Sequence, residues 1–488
     1  MMQKTEHPID LTEIAKRSMA EHQLLFDFPP EVIREVNQLQ SAAKPTASSV
    51  KDVRHFLWFS LDNDDSKDLD QLTYAESIGS QFYKIYIAIA DVDSLVKKGS
   101  AVDRYAHQNT TSVYTPTKIF SMLPEKLSND LTSLNENQDR LAIVVEADIQ
   151  LDGSLSNYVV YPGYVNNHAK LAYNSVSEWL DGIGPPPKAI MQSTELEKQV
   201  RLQDTIAKIL FKYRHDQGAL TLQTIEPKTV IQSQKVVDII PIVKNRGRDL
   251  IEDFMIAANK STASFLINHR IPSLRRVVRV PKRWDRIVAI AQGFGEQLPA
   301  EPDAKALDIF LMNRRLLDPL HFPDLSLTII KLLGNGEYVV EYPGEKPIGH
   351  FSLAVKDYTH STAPNRRYPD VITQRLIKAA IENLPLPYTG EELENLAKHC
   401  TEKEDDAEKV ERKMKKSAAC LHLSSKISQQ FDALVTGASA KGTWVRVIHP
   451  PVEGKLIKGF DNLDVGNQIR VKLVHIDVEK GFIDFVHV

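Results

Sequence analysis

Residues 62–71 read DNDDSKDLDQ, and they follow the apolar run FLWFSL that spans Phe56 to Leu61. The run reads as an extended strand, so Asp62, Asp68 and Asp70 fall on the loop that leaves it. Three carboxylates on one loop repel one another, and a fold tolerates them best with a cation among them. Hard oxygen ligands of this kind suit Mg²⁺ or Mn²⁺ rather than zinc. Enzymes that cut phosphodiester bonds with two such ions need carboxylates arranged in this way. Taken alone the cluster is a weak signal, because acid-rich loops are common and are usually solvated turns.

A second stretch bears on that choice. Residues 358–370 read YTHSTAPNRRYPD and lead into the amphipathic VITQRLIKAAIENL. The paired Arg366 and Arg367 stand near an expected helix start, where backbone N–H groups and guanidinium forks together suit a phosphate. Between the two stretches lie YIAIADVDSLVKKGSAVDRYA from Tyr86, SVYTPTKIFSMLPEKLSNDLTSL from Ser112 and AKLAYNSVSEW from Ala169. GALTLQTIE from Gly218, LIEDFMIAANKSTASFL from Leu250 and RIPSLRRV from Arg270 follow. In this order the segments resemble the catalytic domain of the ribonuclease II / ribonuclease R (RNB) family of 3′→5′ hydrolytic exoribonucleases. The resemblance covers residues 51–385 and, more loosely, the remainder to the C-terminus.

The resemblance implies an α+β fold: an RNB catalytic domain over 51–385, a helical segment over 386–430 and a C-terminal OB-type (S1-like) β-barrel over 431–488. The sequence reads the same way. DLTEIAKRSMAEH carries an Asp10 cap signal, and FPPEVIREVNQL places Pro30 at a helix start, so residues 1–50 form a short helical lead ending in the linker AAKPTASS. From Tyr388 the chain reads as two helices with a Thr389 cap signal. From Phe431 it turns to short alternating strands separated by glycines, as in a five-stranded barrel. Trp444 and Phe460 are its candidates for base stacking, or else core residues. Family members with long N-termini carry RNA-binding barrels there, and fifty residues are too few for a pair. Low processivity and poor digestion of duplexes are therefore expected.

By resemblance, Asp62 binds one ion that also touches the scissile phosphate, Asp70 binds or positions a second ion and its water, and Asp68 supports the cluster. Two Mg²⁺ or Mn²⁺ ions are the expected cofactors. The family has a fourth acid where this chain has Gln71, whose amide offers an oxygen but no charge. Asp64, Asp65 and Asp93 are the acids expected to compensate. Arg366 matches the family's catalytic arginine, and Arg367 positions the neighbouring backbone. Tyr114 matches an aromatic that stacks on the base nearest the 3′ end, with Leu222 as its weaker partner. Tyr173 and Glu252 match residues at the ribose, where contact with the 2′-hydroxyl separates RNA from DNA. Asn259 sits two turns after Glu252, as channel lining or core, and Arg276 belongs to a basic cluster expected to meet phosphates.

Composition sets wider bounds. The chain has 488 residues, 42% apolar and 25% charged, ordinary for a globular protein of two or more domains. A net charge of −4 argues against coating nucleic acid by bulk attraction, though not against a basic channel. The two cysteines, Cys400 and Cys420, imply neither a zinc site nor a disulfide framework. No apolar run is long enough for a bilayer and the first residues lack a signal-peptide core, so cytoplasmic residence and no membrane partner are expected. A monomer acting on single-stranded RNA is the favoured reading. A catalytically impaired RNA-binding protein of the same fold, motivated by Gln71, is the second, and a metal-dependent phosphoesterase with another substrate is the third.

Overall fold

The computed structural model describes residues 10–46, 49–79, 81–232, 235–242, 244–439, 442–463 and 465–488. Two short helices come first, α1 (Leu11–Glu21) and α2 (Pro30–Gln38). The Asp10 carboxylate accepts the Thr12 N–H at 2.8 Å, as its cap signal predicts. Strands β1 (Lys51–Asp52), β2 (Phe59–Asp62), β3 (Gln71–Ile78) and β4 (Phe82–Ala90) follow, then α3 (Ala101–Asn109) and the hairpin β5 (Val113–Tyr114) with β6 (Ile119–Phe120). Next come β7 (Asp139–Gln150), β8 (Leu155–Asn166) and β9 (Ala169–Ala172).

These build one mixed sheet in the order β1-β8-β7-β4-β3-β2-β9, parallel at β1/β8 and β2/β9 and antiparallel elsewhere. The sequence of β4, FYKIYIAIA, shows why it is central. Ile85, Ile87 and Ile89 enter one core, and Tyr86, Ala88 and Ala90 enter another on the opposite face. A strand buried on both faces reads as an unbroken apolar run.

Helices α4 (Tyr173–Leu180), α5 (Lys188–Met191), α6 (Thr194–Asp216) and, after the hairpin β10 (Glu226–Gln232)/β11 (Lys235–Ile242), α7 (Arg246–Asn268) follow; α4 to α7 back the isoleucine face. Strand β12 (Ser273–Val277) pairs with β13 (Glu337–Glu341) across an inserted three-helix unit, α8 (Trp284–Gly293), α9 (Ala304–Leu317) and α10 (Phe322–Leu333). That unit has its own core of Trp284, Ile287, Phe310 and Phe322. Helix α11 (Tyr368–Glu382) completes this part of the chain.

The two helices expected after Tyr388 are one, α12 (Gly390–Leu423), 34 residues long. Thr389 and Glu392 close a reciprocal capping box at its start. No glycine or proline interrupts it after Gly390, and its apolar face serves three cores in turn. Leu393, Leu396, Ala397 and Cys400 pack beside α11, and Val410, Met414 and Ala418 meet Leu11, Ile14 and Met19 of α1. Ala419, Cys420 and Leu423 enter the core of the barrel. The barrel closes in the order β14 (Gln430–Ser439), β15 (Gly442–Val447), β16 (Val452–Lys458), β18 (Phe482–His487), β17 (Gln468–Asp477). Trp444 is half-buried outside the barrel core and Phe460 is exposed. Arg446 of β15 makes a two-pronged ion pair with Asp324 of α10 at 2.8 and 2.7 Å, fastening the barrel to the inserted helices. Among the described residues, no helix is long and apolar enough to cross a membrane.

Candidate functional site

Asp62 is the last residue of β2, and residues 63–70 form the loop that carries the chain back into β3 at Gln71. The loop is held from both sides. Asp62 Oδ1 accepts the Asn63 N–H at 2.7 Å and the Ser66 hydroxyl at 2.9 Å. Lys170 donates to the Ser66 carbonyl at 2.5 Å. Arg248 of α7 reaches Asn63 Oδ1 at 2.6 Å while its guanidinium lies 5.0 Å from the centre of the Tyr173 ring.

Asp70 is buried at the end of the loop. Its Oδ1 accepts the Asn365 N–H at 3.0 Å, and its Oδ2 lies 3.8 Å from Arg366 Nε. Burial pushes its carboxyl up to about 8, against the pull of Arg366 and the Asn365 N–H; Asp68 and Asp370 push the same way as burial. Asp68 is raised too, first by burial and further by Asp62, with Arg366 opposing. Asp68 and Asp70 thus stand along one loop short of positive charge, with Asp62 adding to the negative field at Asp68.

Arg366 has a fixed backbone and a free side chain. Its carbonyl accepts the Ser112 N–H at 3.0 Å and the Thr111 hydroxyl at 3.2 Å, while its own N–H donates to Ala363 at 3.2 Å. The side chain is 47% exposed, so an incoming phosphate can reach the guanidinium. The same strand-to-loop bonding brings Tyr114 alongside. Its N–H donates to Glu411 at 2.8 Å, and its phenol is raised first by burial and then by Asp68 and Asp70, against Arg366. Tyr173, at the start of α4, is likewise raised by burial and then by Asp62, with Arg248 and Arg366 opposing. Glu252 stands half-exposed on α7 and pairs with Lys244 at 2.6 Å.

The structure therefore gathers Asp62, Asp68, Asp70, Arg366, Tyr114 and Tyr173 into one electrostatic neighbourhood, and it turns other candidates inward. The Arg367 guanidinium donates to Asp370 at 2.8 Å, where Asp370 also caps the Ala363 N–H at 2.8 Å. Arg276 pairs with Glu404 and lies 4.9 Å from the centre of the Tyr338 ring. Asn259 is core: it donates to the Tyr358 hydroxyl at 3.1 Å and accepts from Ser361 N–H and Oγ at 2.9 Å each. Leu222 packs against the core of the inserted helices. Asp93 does not compensate for Gln71, because Arg375 at 2.9 Å and Lys378 at 3.1 Å already hold it. Asp64 and Asp65 are exposed. Arg248 and Lys244 were missed by sequence reasoning. They stand on or just before α7, and no spacing in the sequence connects them with the acid loop.

The donor set suits a hard cation. Its members are carboxylates, and Asp70 is a buried acid without full compensation. Among the described residues, no three His, Cys, Asp or Glu side chains are gathered closely enough to ligate one ion.

The comparisons with known proteins bear on the fold and the family. The chain is 29% identical over 94% of its length to a "Ribonuclease R" of Thermotoga maritima, spanning 68% of that protein. It is 28% identical over 97% of its length to a "Ribonuclease R" of Vibrio cholerae, spanning 61% of it. Among solved structures, Mycoplasma genitalium RNase R in complex with ribose-methylated single-stranded RNA superposes with a TM-score of 0.87 at 22% identity, over 98% of this chain and 78% of that one. The model of the RNase II-type exonuclease C-terminal S1 domain matches residues 429–488. The RNB domain model matches residues 50–383, and the chain belongs to the RNB family.

Proposed function

We propose that this chain is a metal-dependent 3′→5′ exoribonuclease that degrades single-stranded RNA and releases nucleoside 5′-monophosphates. The observation that carries the reading is the reachable Arg366 guanidinium, 3.8 Å from the buried, under-compensated Asp70. Asp62, Asp68 and Asp70 are the residues to hold Mg²⁺ or Mn²⁺, two ions in all. Bound there, a divalent ion supplies Lewis acidity and an acidified water.

The chain's own residues do the rest. Arg366 grips the phosphate oxygens and offsets the charge that builds on them as the bond breaks. Its backbone needs no rearrangement, because it is already bonded to Thr111 and Ser112. Tyr114 offers its ring to the terminal base. Tyr173 and Glu252 face the ribose, where a bond to the 2′-hydroxyl selects RNA. The chain acts as a monomer in the cytoplasm.

Gln71 favours a second reading, an RNA-binding protein that has lost its chemistry. It stands buried at the start of β3 and contributes no charge beside Asp70. Incubation of 5′-labelled single-stranded RNA with Mg²⁺, Mn²⁺ or EDTA, alongside Asp70→Asn, decides between the two. A metal-dependent ladder shortening from the 3′ end and lost in the variant supports the nuclease. Intact RNA with a persistent gel shift supports the binding protein, and DNA degraded as fast as RNA points to a different phosphoesterase.

A further inference from the structure

The segment LSNDLTSL (127–134) closes the family-like stretch that begins at Ser112, and the site described so far gives it no task. It opens with a π-helical turn, Leu127–Leu131, closed by the Thr132 N–H on the Leu127 carbonyl at 3.0 Å. The next two side chains point at the two halves of the site. Ser133 Oγ accepts the Leu69 N–H at 2.9 Å and lies 2.7 Å from the Lys67 carbonyl and 3.1 Å from Asn135 Oδ1. Its bonds to Lys67 and Leu69 straddle Asp68. The Leu134 N–H adds a third tie, to the Leu69 carbonyl at 2.9 Å.

Thr132 Oγ1 lies 2.6 Å from Asn365 Oδ1 and 2.9 Å from the Leu127 carbonyl, which share its one proton. Asn365 in turn gives its N–H to Asp70 and immediately precedes Arg366. Thr132, Ser133 and Asn365 are all buried, at 3%, 0% and 1% exposure, so water does not substitute for a lost bond.

We propose that Thr132 and Ser133 are positioning residues, a two-hydroxyl spacer that sets the distance between the acids at Asp68 and Asp70 and the arginine at Arg366. The proposal rests on the exoribonuclease reading. The acid loop and the arginine loop are almost 300 residues apart in sequence, so no local rule of the chain sets the distance between them. Two adjacent side chains on one rigid turn fix both loops against a common reference. An error of about 1 Å in such a distance costs on the order of 100-fold in rate.

The test compares Thr132→Val, which keeps the shape and removes the hydroxyl, with Thr132→Ser, which keeps the hydroxyl, and with Ser133→Ala. RNA affinity is measured in EDTA, and the maximal rate and Mg²⁺ half-saturation on single-stranded RNA. Amide exchange is followed at Leu69 and Asn365. Removing either hydroxyl is expected to lower kcat about tenfold or more and to raise the Mg²⁺ requirement, with RNA affinity within about twofold of the parent. Exchange at Leu69 quickens in Ser133→Ala, exchange at Asn365 quickens in Thr132→Val, and Thr132→Ser behaves as the parent.

Parental kcat and Mg²⁺ dependence in Thr132→Val and Ser133→Ala overturns the proposal, as does unchanged exchange at both amides. Equal losses in Thr132→Val and Thr132→Ser also overturn it, because the hydroxyl is then not what matters. If the parent leaves RNA intact with every metal, the exoribonuclease reading is what has failed. Amide exchange then decides the spacer alone: quickened exchange in Thr132→Val with parental exchange in Thr132→Ser supports it, and unchanged exchange overturns it.

Discussion

Replacing Asp70 with Asn is expected to stabilise the metal-free protein while abolishing its nuclease activity. The Asp70 carboxyl keeps its proton in the folded state up to about 8, whereas an ordinary aspartate loses it near 3.8. The folded state therefore binds the more tightly held proton. The stability this contributes is complete below about pH 3.8 and is lost as pH rises toward 8. At pH 7 the loss amounts to just over three units, about 4 kcal/mol at roughly 1.36 kcal/mol per unit. Asparagine never ionises, and its Oδ1 still accepts the Asn365 N–H, so the variant escapes the loss. Thermal melts in EDTA at about pH 4.5 and about pH 8 test this, with a melting temperature several degrees higher for the variant at the upper pH and nearly equal at the lower. Adding Mg²⁺ narrows the gap without closing it, since an ion at about 100 times its dissociation constant returns about 2.7 kcal/mol to the parent alone. A variant that melts below the parent at pH 8 in EDTA, or a gap that does not change with pH, refutes the reasoning.

Three further perturbations have definite outcomes. Arg366→Ala is expected to lower kcat by about 10² to 10³ with little change in fold, and Arg366→Lys to recover only part of it, because the ammonium lacks the two-pronged fork; steady-state rates on a single-stranded substrate decide. Gln71→Asp restores a fourth acid, so it should lower the Mg²⁺ concentration for half-maximal activity and also lower the melting temperature in EDTA; a metal titration unchanged from the parent counts against the assigned place of Gln71. Arg446→Ala strands the Asp324 carboxylate, only 5% exposed, against the barrel and should cost about 3–5 kcal/mol, read as a lower melting transition and faster proteolysis between the inserted helices and the barrel.

How much of this was legible in the sequence depended on how local each signal is. The acid loop was legible because a strand pattern ends at Leu61 and Asp62, Asp68 and Asp70 follow in one short stretch. Thr389 with Glu392 was legible because a capping box is a four-residue rule. Both depend on neighbours in sequence. The placements that were missed depend on partners far away. Asp93 looked free, but its partners Arg375 and Lys378 arrive from α11. Arg276 and Arg367 looked like phosphate ligands, but Glu404 and Asp370 hold them inside the fold. The break expected in α12 failed because helix continuity is decided by which cores its faces meet, and three of them line up along it. Thr132 and Ser133 gave no signal because single hydroxyls are common and their meaning lies in the loops they touch.

The same fold treats two groups of acids in opposite ways, and that contrast is what the proposal of a cation at the 62–70 loop would explain. Asp91, Asp93 and Asp103 are buried and fully partnered: Arg375 takes Asp93 and Asp103, and Lys378 takes Asp91 and Asp93, all within 3.1 Å. Burial alone pushes Asp93 up, but Lys378 and Arg375 outweigh it and hold its carboxyl below the ordinary range. These acids have all the charge they need and serve to join α3 and α11. Asp68 and Asp70 are also withdrawn from water, yet their one nearby arginine stands 3.8 Å from Asp70 and leaves both carboxyls raised. A chain able to neutralise three buried acids with two cations can do the same elsewhere. Leaving the second group short of positive charge makes sense where that charge arrives with a metal ion, and Arg366, not drawn into a tight pair, stays free to meet a phosphate.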